Sequence, residues 1–174
     1  MDQRKVREGL ELLFWGNICA VAAFIPIFGW MMLLAGFVTQ LIGLVRLKKQ
    51  DPYYEFAFYL VIAGIILSFF RSGNGMTATV FGWLGMIVSC AQTYMVCTGT
   101  QRCVRFWSPE AADYCASVRL WYVVCTAAAL IIDIVAQIPI IGVVAWAVSL
   151  LIAVVQIAAS VRYLIMLWKC KNVL

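Results

Sequence analysis

The chain has 174 residues, of which 65% are hydrophobic and only 12% are charged, and its mean hydropathy is +0.97. Soluble domains are about half apolar, so this composition excludes an ordinary soluble protein and predicts an integral membrane protein. The net charge of +5 does not indicate a nucleic-acid partner, because the basic residues lie beside the ends of apolar stretches. Membrane topology and anionic lipid headgroups account for them better.

The basic residues are grouped along the chain. Twelve of the thirteen Lys and Arg residues lie in clusters at 4–7, 46–49, 102–119 and 162–171, and Arg71 is the exception. Cytoplasmic loops of membrane proteins are enriched in Lys and Arg. The spacing therefore predicts an all-α integral membrane protein with six transmembrane helices, arranged as three helical hairpins with the N- and C-termini in the cytoplasm.

The three predicted hairpins form a single polytopic membrane domain of residues 1–174. Each membrane crossing needs about 20 residues, so six helices leave room only for short connections. From the N-terminus, the predicted hairpins comprise about residues 9–47, 52–100 and 109–168.

Two sequence similarities between the hairpins indicate an internal repeat. The first and third hairpins turn at IPIFG (25–29) and IPIIG (138–142), and the second and third begin with an N-cap residue and proline at 51–52 and 108–109. Proline interrupts a helix and glycine tolerates a turn, whereas proline at the first helical position favours a helix start. The general need of any membrane hairpin for proline and glycine explains the turns equally well.

Small residues form a stripe on the fourth and sixth predicted helices. They follow one another at spacings that keep them on one helix face, and helices in bilayers associate through small residues that allow close backbone approach. We therefore predict a helix-packing stripe that includes Gly82, Gly85, Ser89, Ser149 and Ser160.

The even-numbered helices also carry the amides Gln40, Gln92 and Gln156. Interhelical hydrogen bonding is the favoured interpretation of these side chains. The alternative is that they converge around a polar cavity for a solute, which their unequal predicted depths disfavour. Asn17, in the first helix, is a further polar candidate.

Asp133 is the one acidic residue that hydropathy places inside an apolar helix. Such a residue costs about 2.5 to 3.5 kcal/mol at the centre of a membrane helix, so we expect it to have a partner. Arg71 ends the third predicted helix at a similar depth, and we predict an ion pair between the two. Acidic residues inside a membrane often indicate a proton or ion relay, but a structural ion pair is the favoured interpretation of Asp133.

Several catalytic motifs are missing from the sequence. It contains no histidine, which removes the commonest general base and metal ligand, and it has no HExxH, P-loop or GxGxxG motif. We therefore predict no catalytic residue, no metal ligand and no cofactor, and an enzyme acting on lipid remains only as a remote alternative.

Two functions remain. The favoured one is a non-catalytic component that acts through helix association, as a homo-oligomer or as an accessory subunit of a larger membrane complex. The alternative is a compact transporter, channel or substrate-binding subunit for a small solute or lipid, which an interior cavity lined by the polar residues would support. Short loops and unpaired thiols are typical of a multi-pass protein of the bacterial inner membrane, with the lipid bilayer as a partner.

Overall fold

The computed structural model describes residues 3–22, 29–71, 76–136 and 142–173, and these residues form six helices. The prediction of an all-α protein is confirmed. The predicted turns at 25–28, 72–75 and 138–141 lie outside the described residues. In chain order the helices are α1 (Gln3–Ala22), α2 (Gly29–Leu47), α3 (Pro52–Arg71), α4 (Met76–Val104), α5 (Pro109–Val135) and α6 (Gly142–Val173).

Within the described ranges, four helical segments are long and apolar enough to cross a membrane: Pro52–Phe70, Met76–Val104, Pro109–Val135 and Val148–Val173. A shorter apolar segment, Leu34–Leu47, lies in α2. Many large apolar side chains of these helices are exposed on the outside of the bundle, among them Phe69 and Met76. An exterior of this kind is suited to contact with lipid tails rather than with water.

The predicted starts of α3 and α5 are confirmed, and a capping hydrogen bond is present at each. Ser108 has extended backbone angles, and its Oγ accepts a hydrogen bond of 3.2 Å from the backbone N–H of Ala111. Before α3, Asp51 Oδ1 accepts a hydrogen bond of 2.9 Å from the backbone N–H of Tyr53. Each cap satisfies a backbone donor that the helix leaves unpaired and contributes about 1 kcal/mol.

Three helices extend beyond their predicted ends. α1 begins at Gln3 rather than near residue 9, α4 continues to Val104 rather than to about 100, and α6 continues to Val173 rather than to about 168. The extensions are amphipathic: buried residues such as Val6 and Cys170 alternate with charged ones. Hydropathy missed these turns because it averages over both faces of the helix.

The six helices form a closed ring in which neighbours are antiparallel. α1 and α2 show the arrangement, because Gly9 lies against Leu47 whereas Gly16 lies against Gly36. Each helix packs against the next along the chain, and α6 packs against α1 as well as α5. All the odd-numbered helices therefore begin at the same end of the bundle.

The large buried side chains lie at that end, which also carries the basic clusters. We call it the basic half: it contains the start of α1, the connections 48–51 and 105–108, and the end of α6. The largest fully buried side chains there are Tyr54, Leu10, Leu44, Leu47, Met166 and Leu167. In the opposite half the buried residues are small ones, such as Cys125, Ala129 and Ala159.

Candidate functional site: a polar cavity between the helices

The opposite half of the bundle contains adjoining chambers between the helices that are partly open to the outside. The first chamber, of about 330 Å³, lies between α4, α5 and α6, and Gln156 is part of its wall. The second chamber, of about 300 Å³, reaches to α1 and α2 and includes Asn17, Gln40 and Gln92. Both chambers have three wall residues in common: Ser89, Tyr122 and Ser160.

Two smaller chambers continue this space. One, of about 250 Å³, lies between α3 and α4 and has Ser89 and Gln92 in its wall. The other, of about 180 Å³, adjoins the first chamber through Met86 and Gln156 and contains Asp133. The four chambers together are called the polar cavity below.

The polar cavity brings together five of the six polar residues singled out in the sequence: Asn17, Gln40, Gln92, Asp133 and Gln156. The sixth, Arg71, has its side chain outside the described part of the structure. Gln40 and Gln92 line one chamber and Gln156 lines the adjoining one, so the three amides lie at different positions along the polar cavity.

The three glutamines have unused hydrogen-bonding capacity. Gln40, Gln92 and Gln156 form no side-chain hydrogen bond with any residue of the described ranges, although each amide offers two donors and an acceptor oxygen. Leaving such a group unsatisfied within a membrane costs several kcal/mol. No buried side-chain nitrogen or oxygen of the described residues lacks a hydrogen-bond partner, so these amides are open to water or to a bound molecule in the polar cavity.

The smaller polar groups of the wall bond within their own helices. Asn17 Nδ2 donates to the backbone oxygen of Leu13 at 2.8 Å, and Ser160 Oγ donates to the backbone oxygen of Gln156 at 2.9 Å. In each case the side-chain oxygen keeps lone pairs that can accept a further hydrogen bond. The wall thus presents acceptors from α1 and α6 as well as the amides.

Asp133 has a partner that the sequence did not reveal. Its Oδ2 accepts a hydrogen bond of 3.1 Å from Trp83 Nε1, which joins α5 to α4. The predicted ion pair with Arg71 stays a prediction, because the Arg71 side chain is outside the described residues. No spacing along the chain connects Trp83 with Asp133, since only the pairing of α4 with α5 brings them together.

The residues of the predicted helix-packing stripe line the polar cavity. No heavy atom lies within 4 Å of the position that a Cβ would take on Gly82 or Gly85, and both glycines belong to the wall of the first chamber. Ser89 and Ser160 line the same chamber, and Ser149 lines the smallest one. The spacing of the small residues predicted that they share one face of the helix, but it did not predict that this face lines a cavity.

The close helix contact that small residues allow occurs between α1 and α2. The Cβ position of Gly36 lies 2.7 Å from the backbone oxygen of Gly16, and that of Gly16 lies 2.8 Å from the backbone oxygen of Gly36. Any larger residue at either position would push the two backbones apart.

The chemistry of the wall suits recognition of a polar molecule. It contains amides and hydroxyls, one carboxylate and no basic side chain among the described lining residues. Within the described ranges, no three His, Cys, Asp or Glu residues are grouped so that they could hold a metal ion. No family model matches this chain, and no curated protein or solved structure is significantly similar to it.

Proposed function

We propose that this protein is a small multi-pass membrane protein that binds a small polar solute in the polar cavity, as a compact transporter, channel or substrate-binding subunit. The observation that carries the proposal is the set of unpaired amides, Gln40, Gln92 and Gln156, in the walls of adjoining chambers. Polar groups inside membrane helices mark solute or ion pathways more often than chance.

The solute is neutral or cationic. Asp133 is the only charged residue in the described wall, so an anion would meet no compensating charge. At about 30 Å³ for each water-sized group, the first chamber of about 330 Å³ accommodates on the order of ten non-hydrogen atoms. Alternating donors and acceptors on the amides favour a molecule that itself both donates and accepts hydrogen bonds.

The proposed topology has six crossings in three hairpins, with both termini on the cytoplasmic side of a bacterial inner membrane. It is supported by α1 and α2, which pack in the same ring as the four long apolar helices. It is also supported by a belt of cations stacked over aromatic rings in the basic half, as expected at a membrane surface. These pairs, with 4.7 to 5.3 Å from cation to ring centre, are Lys48 with Phe58, Arg102 with Tyr53, Arg119 with Tyr94, Arg162 with Trp121, Lys169 with Tyr114 and Lys171 with Phe14.

Helix association with further copies or with a larger complex has less support. The small residues of α4 and α6 that would form such a seam line the polar cavity, and those of α1 and α2 pack against each other. The proposed role is non-enzymatic, since no hydroxyl or thiol of the described wall is seen hydrogen-bonded to the Asp133 carboxylate, whose partner is Trp83. The proposed partners are the lipid bilayer and the solute.

Thermal unfolding of the intact chain in mild detergent tests the proposal. A panel of neutral, cationic and anionic polar molecules of the stated size is added, and a ligand at one hundred times its Kd should stabilise the protein by about 2.7 kcal/mol. The Gln92→Leu variant should lose about tenfold in affinity for that ligand, because the lost hydrogen bond is worth on the order of 1 to 2 kcal/mol. Gln101→Leu is the matched control, because Gln101 lies on the same helix and lines none of the four chambers.

Accessibility of the wall provides a second measurement. Because Cys90 and Cys125 also line the first chamber, the modified thiol is located by peptide mass mapping. The introduced thiol of Ser89→Cys should react with a small water-soluble thiol reagent, whereas that of Val124→Cys, on the outer face of α5, should not react in a bilayer. Equal protection of both cysteines, together with the absence of any stabilising molecule in the panel, would contradict a solute-binding cavity and restore helix association as the better hypothesis.

A further inference from the structure

An apolar groove lies on the outer surface between α4 and α5. Its volume is about 390 Å³, and its lining is apolar throughout. Cys90 and Thr126 lie between the groove and the first chamber, because both line each of them. The walls of the groove are formed by Ile87, Ala91 and Tyr94 of α4 and by Val123, Ala127 and Leu130 of α5.

The groove follows the helix axes. Its residues recur at helical spacing on one face of each helix, so it extends for about two turns, or roughly 10 Å. Ala91 and Ala127 leave room between the larger side chains. The Thr126 hydroxyl donates to the backbone oxygen of Tyr122 at 2.8 Å, so its methyl group is available to the groove.

A cation lies at the end of the groove that points to the basic half. Arg119 is one turn from Val123 on the same face of α5, and its Nη1 donates to Thr98 Oγ1 at 3.1 Å. Its guanidinium also lies 5.1 Å from the ring centre of Tyr94, a residue of the groove wall. The described partners of Arg119 are therefore a hydroxyl and an aromatic ring, neither of which neutralises its charge.

Several other cations of the basic half are paired with carboxylates, whereas Lys48 and Lys169, like Arg119, lie over an aromatic ring. The pairs are Arg46 with Glu8 at 3.0 Å, Lys171 with Glu11 at 3.5 Å and Arg102 with Asp51 at 3.9 Å. Arg162 resembles Arg119 in lying over an aromatic ring, that of Trp121, but Arg162 and Trp121 are not part of the groove. The combination of an uncompensated cation with an adjoining apolar groove thus distinguishes Arg119.

We propose that Arg119 and the groove together bind an anionic phospholipid, with the phosphate on the guanidinium and one acyl chain between α4 and α5. Guanidinium groups form paired, charge-assisted hydrogen bonds with phosphate oxygens, and the apolar walls supply packing for the chain. The proposal rests on the basic half lying at the membrane surface, but it does not require a solute in the polar cavity.

Native mass spectrometry of the intact, detergent-purified chain tests the site. Phosphatidylglycerol should remain bound in preference to phosphatidylcholine, and Arg119→Ala should lower its retention about fivefold, the contribution expected of one cation at a membrane surface. Arg162→Ala should lower retention less than about twofold, because Arg162 is not part of the groove and its attraction to a phosphate held there is weakened by distance and screening. Ala127→Phe and Ala91→Phe, which fill the groove from either helix, should lower retention as strongly as Arg119→Ala, whereas Val124→Phe on a neighbouring outer face should not.

Four outcomes would overturn the proposal. Equal retention of both lipids would show that the charge of the lipid headgroup does not contribute to binding. An equal loss in Arg162→Ala and Arg119→Ala would show that Arg119 has no specific role. Wild-type retention in both groove-filling variants would show that no acyl chain occupies the groove. A change in oligomeric mass on filling the groove would show that a second copy of the chain occupies it. If one groove-filling variant shows no thermal unfolding transition, and so is not folded, the other one is used in its place. Solute binding by these variants should equal that of the wild type, which keeps this test separate from that of the polar cavity.

Discussion

The two halves of this bundle use the same six helices in different ways. In the basic half, large apolar side chains such as Leu10, Tyr54 and Met166 are fully buried between the helices. In the opposite half, small residues and amides surround adjoining chambers. The difference shows that close packing is concentrated at one end of the bundle, whereas the other end has open space between its helices.

A physical reason for this division follows from the proposed topology. The helix extensions of the basic half carry charged residues such as Glu8 and Lys171 and so reach into water, where burial of apolar side chains is driven by the hydrophobic effect. Between helices in lipid that driving force is absent, because lipid tails are as apolar as leucine. Stability is therefore expected to depend mainly on the basic half.

The largest expected contrast between the halves lies within α4. The ring of buried Tyr54 lies 3.1 Å from the Cβ position of Gly99, whereas Gly85 faces open space. Gly99→Leu should therefore lower the free energy of unfolding by about 3 kcal/mol through overpacking. Gly85→Leu should leave it unchanged or raise it by up to about 1 kcal/mol, because leucine is the better helix former. Thermal unfolding in mild detergent measures both, and a loss as large for Gly85→Leu would mean that the two halves are packed alike.

A smaller effect is expected from a single buried hydrogen bond. Tyr54 Oη and Thr100 Oγ1 are 3.0 Å apart, and both residues are fully buried. Tyr54→Phe should lower the free energy of unfolding by about 1 to 2 kcal/mol, because the threonine hydroxyl loses its partner away from water.

Tyr59→Phe is the matched control on the same helix. The Tyr59 hydroxyl donates to Glu55 Oε1 at 3.3 Å in an exposed position, so water replaces the lost bond and the change should stay below about 0.5 kcal/mol. If the two variants unfolded at the same temperature, the packed core would not extend to α3.

The smallest effect is expected at the exposed edge of the basic half. Glu8 accepts from Arg46 Nη1 at 3.0 Å and from Arg4 Nε at 3.3 Å, and all three side chains are substantially exposed. Glu8→Gln should therefore cost only about 0.5 kcal/mol. The difference should vanish in 1 M salt, where the screening length is about 3 Å; a difference that persists there would indicate that Glu8 acts through packing rather than charge.

Local sequence rules predicted the helices well and their surroundings poorly. The caps at Asp51 and Ser108 were predictable because a cap depends on residues within one turn. The partner of Asp133 was not, since Trp83 belongs to another helix and reaches it only through the pairing of α4 with α5. Gly85 illustrates the same limit, because a small residue on a helix face suits a close contact and a cavity wall equally.

By itself, the sequence determined that this protein is built from apolar helices and where α3 and α5 begin, and it predicted six membrane crossings, whereas four of the described helical segments are long and apolar enough for one. These features depend on composition and on neighbours within a few residues, which are the same in any arrangement of the chain. The tertiary structure alone decided which half is packed and which is hollow, and that the glutamines of three helices line adjoining chambers. That outcome depends on how antiparallel helices align, because a side chain's surroundings are set by residues far away along the chain.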